Sequence, residues 1–380
     1  MPSRHEQYIE LPASAPGTTR LLKVVAYGEA AARPKAYLQA AIHADEVPGI
    51  LVLHYLQALL DEADRDGRIS GRVVIVPVAN PVGSDQRIHG AMLGRYHFGD
   101  GINFNRAHAD LAGQVAEAID GRLGEDAETN RDLIRDELKK AVIGLPGFDD
   151  GAFLKRTLLS LAIDADICLD LHCDNEALLH MYCLDSSRKE AELLSAQLGC
   201  RALFLADESG GHPFDEAVST PWLKLARHFP DAVIPPPPLS ATVELRGLAD
   251  VDPDTATSDA RNLFTYLQRL GVIEGEAGPL PKALCEATPL SGVHHIRTGV
   301  AGVVLLDVGP GDRVEAGDVV ARILEPFSPF GDGMTELKSG TSGLVYARTN
   351  HRMVAPGQIV VAVAGPQGIE YHPGALLLSD

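Results

Sequence analysis

Short runs of β-branched and other apolar residues alternate with amphipathic stretches over the first two-thirds of the chain, and this alternation restricts the fold more than any other feature. The runs predict four strands, Ala36–Ala44, Arg72–Ala79, Asp166–His172 and Ala241–Leu245. Between the first two, a proline followed by an apolar repeat of helical period predicts a helix and so a βαβ unit. The sequence therefore indicates an α/β fold with a mixed central sheet flanked by helices.

Three further segments of this region have distinct patterns. Residues 110–150 interleave acidic residues with Leu and Ala, which predicts a solvated helical excursion. Pro235–Pro238 form a stiff extended segment ahead of the fourth strand. The amphipathic stretch Ala256–Leu270 predicts a closing helix, and the Gly- and Pro-containing residues 271–281 predict a linker.

The pattern changes after this linker to Gly and Val with few helical periods. A chain of 380 residues is also longer than a single core usually supports. We therefore expect an α/β domain over residues 1–285 and a smaller all-β domain over residues 286–380. The echo between Gly302–Leu305 and Gly343–Tyr346 resembles the two halves of a biotinyl/lipoyl-type sandwich. Lys338 lacks the Met-Lys-Met-like setting of such carriers, so a role as a lid or in oligomerisation is expected instead.

Charge and cysteine content limit the partners and the compartment. With 33 Lys and Arg against 52 Asp and Glu, the net charge is −19, which disfavours binding to nucleic acid or to anionic membranes. No apolar run approaches the roughly 20 residues of a bilayer span, and the first residues lack a signal-like apolar core. We expect a cytoplasmic protein whose five cysteines are reduced and mostly buried.

Two predicted strands have a histidine at their C-terminal end. His43 is the next-to-last residue of the first, with Glu46 three residues later, and His172 ends the third. Ligands of open α/β sheets gather at the carboxyl ends of strands, and two imidazoles with one carboxylate suit a catalytic zinc ion. A histidine is more often a hydrogen-bonded core or loop residue, which is what we expect for His54, His97, His180 and His228.

Two further groups could serve hydrolysis at such an ion. Glu244, in a β-rich run, could take a proton from water, although an ion pair with Arg246 is the alternative. Asn105 and Arg106 could bind a carboxylate through charge-assisted hydrogen bonds. An arginine near the metal could polarise the scissile carbonyl.

Taken in order, these motifs resemble a known family. His43-x-x-Glu46, Asn80-Pro81, Asn105-Arg106, Asp170-Leu171-His172 and Glu244 resemble the zinc carboxypeptidase-like superfamily, and most closely its succinylglutamate desuccinylase/aspartoacylase family. The resemblance spans about residues 36–360. It implies one zinc ion per chain on His43, Glu46 and His172. It also implies that Glu244 activates water and that Asn105 with Arg106 holds a substrate carboxylate.

The same resemblance implies that Arg95 polarises the carbonyl, with Arg87 as the alternative. The chain departs from the family at Asn103, where relatives often have an aspartate that supports a zinc-binding histidine. A neutral amide orients an imidazole less strongly, so either another acid such as Asp45 compensates or metal affinity is lower.

The resemblance implies a zinc-dependent hydrolase that cleaves the amide bond of an N-acylated amino acid or a similar small carboxylate. A zinc carboxypeptidase acting on short peptides is one alternative, and a non-catalytic metal-binding scaffold is another. Exposed strand edges in the β-domain would permit a homo-oligomer.

Overall fold

The computed structural model describes residues 3–366. Met1, Pro2 and residues 367–380, the last part of the predicted 286–380 domain, lie outside the described residues.

The described chain contains eight α-helices, two short 3₁₀ helices (Asp185–Ser187 and Leu290–Gly292) and twenty strands. The helices are α1 Pro48–Arg65, α2 Pro81–Ser84, α3 Ala112–Ile119, α4 Ala127–Ile143, α5 Asp150–Ala162, α6 Arg188–Leu198, α7 Phe214–His228 and α8 Pro253–Arg269. The strands are β1 His5–Glu10, β2 Leu21–Tyr27, β3 Lys35–Ala40, β4 Arg72–Val76, β5 Arg87–Ile88, β6 Ala91–Met92, β7 Ile167–Asp174, β8 Glu176–Ala177, β9 His180–Cys183, β10 Ala202–Leu205, β11 Leu239–Gly247, β12 Ala287–Pro289, β13 Val293–Arg297, β14 Gly302–Leu306, β15 Arg313–Val314, β16 Val319–Leu324, β17 Met334–Lys338, β18 Gly343–Arg348, β19 Met353–Val354 and β20 Ile359–Ala364.

A nine-stranded mixed sheet forms the centre of the molecule, in the order β1-β2-β4-β3-β7-β11-β9-β10-β12. The four predicted strands are its middle, β4, β3, β7 and β11, and they pair in parallel. An antiparallel hairpin, β1 and β2, extends one edge, while β9 runs antiparallel to β11 on the other side. The predicted mixed sheet is thus confirmed.

Helices cover both faces of this sheet. Residues of α1, α6 and α8 share one buried apolar cluster with one face, and residues of α3, α4, α5 and α7 share a second cluster with the other. Neighbours in β3 show the alternation, since Leu38 belongs to the first cluster and Tyr37 to the second. All six residues of β3 are buried because both faces of the sheet are covered, including the polar Lys35 and Gln39.

The structure corrects two details of the sequence prediction. Ala41 has a left-handed φ of 59°, and β3 ends one residue before it, so the first strand stops short of His43. Residues 110–150 form α3, α4 and the loops around them, but the interpretation of them as solvated is wrong. Val115, Ile119 and Ile134 are fully buried in the second apolar cluster, and most of the acidic residues occupy the outer faces of these helices, Glu137 being buried.

The C-terminal strands form two antiparallel sheets, β13-β20-β18-β15 and β17-β16-β14-β19. Residues from both sheets, among them Val304, Val320 and Val361, pack into one apolar core. The C-terminal part and the large sheet also exchange strands. β12, from the C-terminal part of the chain, lies parallel to β10 in the large sheet, and β8, from the N-terminal part, pairs with β18 in a C-terminal sheet.

All five cysteines are free thiols, and four of them are buried. No helix within residues 3–366 combines the length and the apolar character needed to cross a bilayer.

Candidate metal centre

The turn between β3 and α1 carries His43 and Glu46. The amide of Glu46 donates to the carbonyl of His43 at 3.1 Å, which closes the turn. Gly49 at the start of α1 lies directly against the sheet, where a Cβ would be 2.9 Å from that of Ala40 and 3.0 Å from that of Leu171. This close approach brings Glu46 to the end of β7, where His172 lies.

His43, Glu46 and His172 form one buried cluster, each less than 5% exposed. His43 Nδ1 lies 2.8 Å from Glu46 Oε1, and His172 Nδ1 lies 2.7 Å from Glu46 Oε2. One donor atom from each residue falls within 4.8 Å of the others, an arrangement that could hold a metal ion. Two imidazoles and one carboxylate are an ordinary protein ligand set for zinc.

The other nitrogen of each imidazole faces an oxygen of the protein. His43 Nε2 lies 2.8 Å from Asn103 Oδ1, which also accepts the amide of Asn105 at 2.8 Å. Because this atom of Asn103 is an acceptor, Nε2 of His43 is the nitrogen that can donate to it, which leaves Nδ1 available as a metal ligand. His172 Nε2 lies 3.0 Å from Asp170 Oδ2. Such outer partners are typical of metal-binding histidines, so the residues present fit a zinc ion.

Asn103 itself therefore supports His43, and among residues 3–366 no second acid is seen in this role. Asp45 Oδ1 is buried and has no hydrogen-bond partner among residues 3–366. Compensation by Asp45, one of the two alternatives from the sequence, is not seen.

The cluster is strongly coupled electrostatically. Burial raises the pKa of Glu46, but the adjacent His43 and His172 outweigh it and hold the pKa well below its usual range. Burial lowers the pKa of His43. For His172, burial is outweighed by Asp170 and Glu46, so its pKa lies well above the usual range.

Glu244 lies beside the cluster, paired in register with His172 across β11 and β7. Its Oε2 is buried and has no hydrogen-bond partner within the described chain. Burial raises the pKa of Glu244 to about 8, with Glu46 and Asp174 adding to the effect.

Arg246 does not pair with Glu244, so that alternative is wrong. Its backbone has a φ of 65°, and the β11–β7 register shifts between Glu244 and Gly247. The guanidinium instead forms two hydrogen bonds to Asp259 of α8, at 2.7 and 2.9 Å. The irregular backbone thus separates the two side chains that strand alternation would place on one face.

Arg95 reaches the cluster directly. Its Nη1 lies 3.0 Å from Glu46 Oε1 and 3.2 Å from His43 Nδ1. Arg87 does not reach it, because the two-residue strands β5 and β6 hold it on the exposed surface, where it lines a separate cavity. Of the two arginines weighed from the sequence, the structure brings only Arg95 to the cluster.

Asn80 connects the positions of His43 and Arg95, a role that the sequence motif did not specify. Its Nδ2 donates to the carbonyl of Ile42 at 2.8 Å, and its Oδ1 accepts the amide of Gly83 at 2.7 Å. The carbonyl of Gly94, just before Arg95, accepts the amide of Ala44 at 3.1 Å. The fully buried Asn80 thus fixes the turn on which His43 depends.

Asn105 and Arg106 occupy different positions around the cluster. Asn105 Oδ1 accepts the amide of Phe214 at 2.8 Å, and its Nδ2 lies 3.2 Å from His172 Nε2. The stem of Arg106 packs on Gly211, where a Cβ would fall 2.6 Å from Arg106 Cδ and where φ is +77°. Asn105 is therefore held against His172, while Arg106 borders open space.

A cavity of about 650 Å³ contains the cluster together with Arg95, Arg106 and Glu244. C-terminal strands and loops form part of its wall, with lining residues His295, Arg297, Tyr346, Arg348 and Gln358. No motif in the sequence indicated these residues, because only the docking of the C-terminal strands brings them here. The volume is that of a pocket for a small molecule.

Fold and site together define a mixed α/β protein with a two-histidine, one-glutamate centre that could hold a metal at the carboxyl edge of its sheet. The family model of the succinylglutamate desuccinylase/aspartoacylase catalytic domain matches residues 32–134, which include His43, Glu46 and Arg106. The resemblance to this family predicted from the sequence is confirmed.

Solved structures agree over almost the whole chain. A protein assigned to this family from Shewanella amazonensis SB2B has a TM-score of 0.80 at 26% identity, covering 95% of this chain and 98% of that one. A second, from Shewanella frigidimarina NCIMB 400, has a TM-score of 0.81 at 22% identity, covering 96% and 98%. The product-bound ectoine utilization protein EutE (DoeB) from Ruegeria pomeroyi has a TM-score of 0.67 at 18% identity, covering 95% of each chain. No curated protein matches the chain.

Proposed function

We propose that this protein is a zinc-dependent hydrolase that cleaves the amide bond of an N-acylated amino acid or a similar small carboxylate. The observation that carries the proposal is the buried His43–Glu46–His172 cluster with Glu244 and Arg95 beside it in one cavity. The family match over residues 32–134 supports the reaction class. The relatives are assigned to a family named for deacylases, which supports amide hydrolysis as the reaction. Their names do not identify the acyl group that this protein would remove.

In this proposal His43, Glu46 and His172 hold the zinc ion. When bound there, zinc supplies Lewis-acid polarisation of a carbonyl group and of water. Each ligand histidine is kept in one orientation by its outer partner, Asn103 for His43 and Asp170 for His172.

The remaining residues bind substrate and move protons. Arg106 and Asn105, which both line the cavity, bind the substrate carboxylate, and Arg95 donates to the scissile carbonyl oxygen. Glu244 accepts a proton from the attacking water as the new C–O bond forms. It returns this proton to the amine nitrogen as the C–N bond breaks, so the products are a carboxylic acid and a free amine.

We also propose that the chain divides near residue 285 into a catalytic domain and a C-terminal sandwich of the biotinyl/lipoyl type. In support, the C-terminal sheets share one apolar core, and their residues form part of the cavity wall. Lys338 is exposed at the end of β17, 3.4 Å from Glu336. In this proposal the C-terminal domain forms one wall of the substrate pocket.

The test is release of free amine from a panel of N-acyl amino acids and dipeptides, with zinc present. We expect acyl amino acids to be cleaved, Glu244→Gln to lower kcat by about 10²- to 10⁴-fold, and zinc content to stay near one per chain. Glu192→Gln, a change of an exposed acid on α6, is the control. Full activity of Glu244→Gln, or of His43→Ala in metal-free buffer, would refute the proposal, and cleavage of dipeptides alone would favour a carboxypeptidase.

A further inference from the structure

One loop carries four of the side chains around the candidate centre. Residues 95–106, here called the site loop, include Arg95, Asn103, Asn105 and Arg106. Within the loop, the amide of Phe104 donates to the carbonyl of Arg95 at 3.0 Å and the amide of His97 to that of Ile102 at 2.9 Å, and an isolated bridge joins Tyr96 to Asn103. The loop belongs to no helix or longer strand, so its position on the body depends on what anchors it there.

Lys155 of α5 provides such an anchor from beneath the loop. Its Nζ donates to the carbonyl of Arg106 at 2.6 Å and to that of Asn103 at 3.3 Å. The two residues whose carbonyls Lys155 binds flank Asn105 in the sequence. Hydrogen bonds from an ammonium are stronger than those from neutral donors, and a half-buried charge depends on them. Burial lowers the pKa of Lys155, with Asp100 and Asp149 acting in the opposite direction.

The first turn of the same helix contacts the other end of the loop. The ring of His97 lies between Asp100, at 3.1 Å, and Asp150, at 3.3 Å. Asp150 is in turn held by Arg20 at 3.0 Å. Helix α5 therefore holds the loop near its N-terminal end through His97 and at its C-terminal end through Lys155, while Gln86 bonds the backbone of Tyr96 and Phe98.

We propose that Lys155 is a positioning residue that fixes the backbone of Asn103 and Arg106, and thereby the partner of His43 and the guanidinium that binds the substrate carboxylate. Within residues 3–366, Lys155 is not among those that line the cavity. It therefore acts through the loop rather than on substrate. The test with substrate rests on the proposed function, whereas the test of zinc affinity requires the zinc site alone and no amide hydrolysis.

The test compares Lys155→Met with the parent protein. We expect KM for an N-acyl amino acid to rise about tenfold, with a smaller fall in kcat, because carboxylate binding is weakened. The zinc Kd, measured by chelator competition, is expected to rise about tenfold, as when an outer partner of a ligand is disturbed. Lys155→Arg keeps a cationic donor and should recover most of both losses. Lys140→Met, which removes an exposed lysine paired with Glu137, is the matched control.

A second substrate separates positioning from general destabilisation. The parent should prefer an N-acyl amino acid to the corresponding carboxamide, and Lys155→Met should lose most of this preference because Arg106 is displaced. Lys155→Gln, a milder change, serves if the Met variant does not fold. An unchanged carboxylate preference with an unchanged zinc Kd would overturn the inference, even if stability fell. If the parent cleaves no amide, the proposed function fails, while the zinc Kd of the variants still decides the role of Lys155.

Discussion

Asn103→Asp tests whether a neutral amide limits metal affinity at this centre. Asn103 Oδ1 lies 2.8 Å from His43 Nε2, so the substitution would replace a neutral acceptor by a charged one at the same position. Neutral hydrogen bonds contribute about 1 kcal/mol net and those to charged groups about 1.5–3. A gain of about 1 kcal/mol corresponds to a roughly fivefold lower zinc Kd.

The same change should have the opposite effect on the metal-free protein. A carboxylate at position 103 would add a buried negative charge near Glu46, which is 4% exposed, without a metal ion to offset it. We expect the free energy of unfolding of the metal-free protein to fall by about 1 kcal/mol or more. Tighter zinc binding combined with a less stable metal-free state would thus be the signature of this contact.

Zinc Kd is measured by chelator competition, and stability by urea denaturation of chelator-treated protein. Asn103→Ala should weaken zinc binding by about 10- to 100-fold, since His43 loses its outer partner. Asn350→Asp adds the same charge at an exposed residue of the cavity wall and should change neither quantity appreciably. The reasoning is refuted if Asn103→Asp binds zinc no more tightly than the parent, or if Asn103→Ala binds it as well.

Two other substitutions test how the site is built. Asn80→Ala leaves the buried carbonyl of Ile42 and the amide of Gly83 without their side-chain partner, so unfolding in urea should be easier by about 2–4 kcal/mol; a loss below about 1 kcal/mol would contradict the role given to Asn80. Gly211→Ala places a Cβ against Arg106 Cδ, and we expect KM to rise about tenfold with kcat largely kept. Gly271→Ala has the same left-handed backbone with no atom within 4 Å, so an equal effect on KM there would show that the Arg106 contact is irrelevant.

The sequence was sufficient to predict the middle of the sheet and the three clustered residues. Apolar-rich runs identify the buried strands, and the carboxyl ends of parallel strands meet at one edge, so His43 and His172 could be placed together. The turn residue Ala41 shows the limit of this approach. Its left-handed backbone ends β3 early, and nothing about an alanine indicates such a conformation.

Features that depend on tertiary pairing were not predictable. The hairpin of β1 and β2 is stabilised by pairing with β4, which local sequence does not reveal. Lys155 and Asn80 act on backbone carbonyls, and a carbonyl leaves no signature in residue type. The sequence favoured Arg95 but left Arg87 as an alternative, and the structure separates the two in space through the short hairpin of β5 and β6.

The exchange of strands between the two parts of the molecule has a consequence for substrate entry. Because β12 extends the large sheet and β8 extends a C-terminal sheet, the C-terminal wall of the cavity cannot swing outward without breaking ladder hydrogen bonds on both sides. The width of the cavity opening is therefore fixed by the fold. Long substrates would then be excluded sterically by the protein as it is before substrate binds.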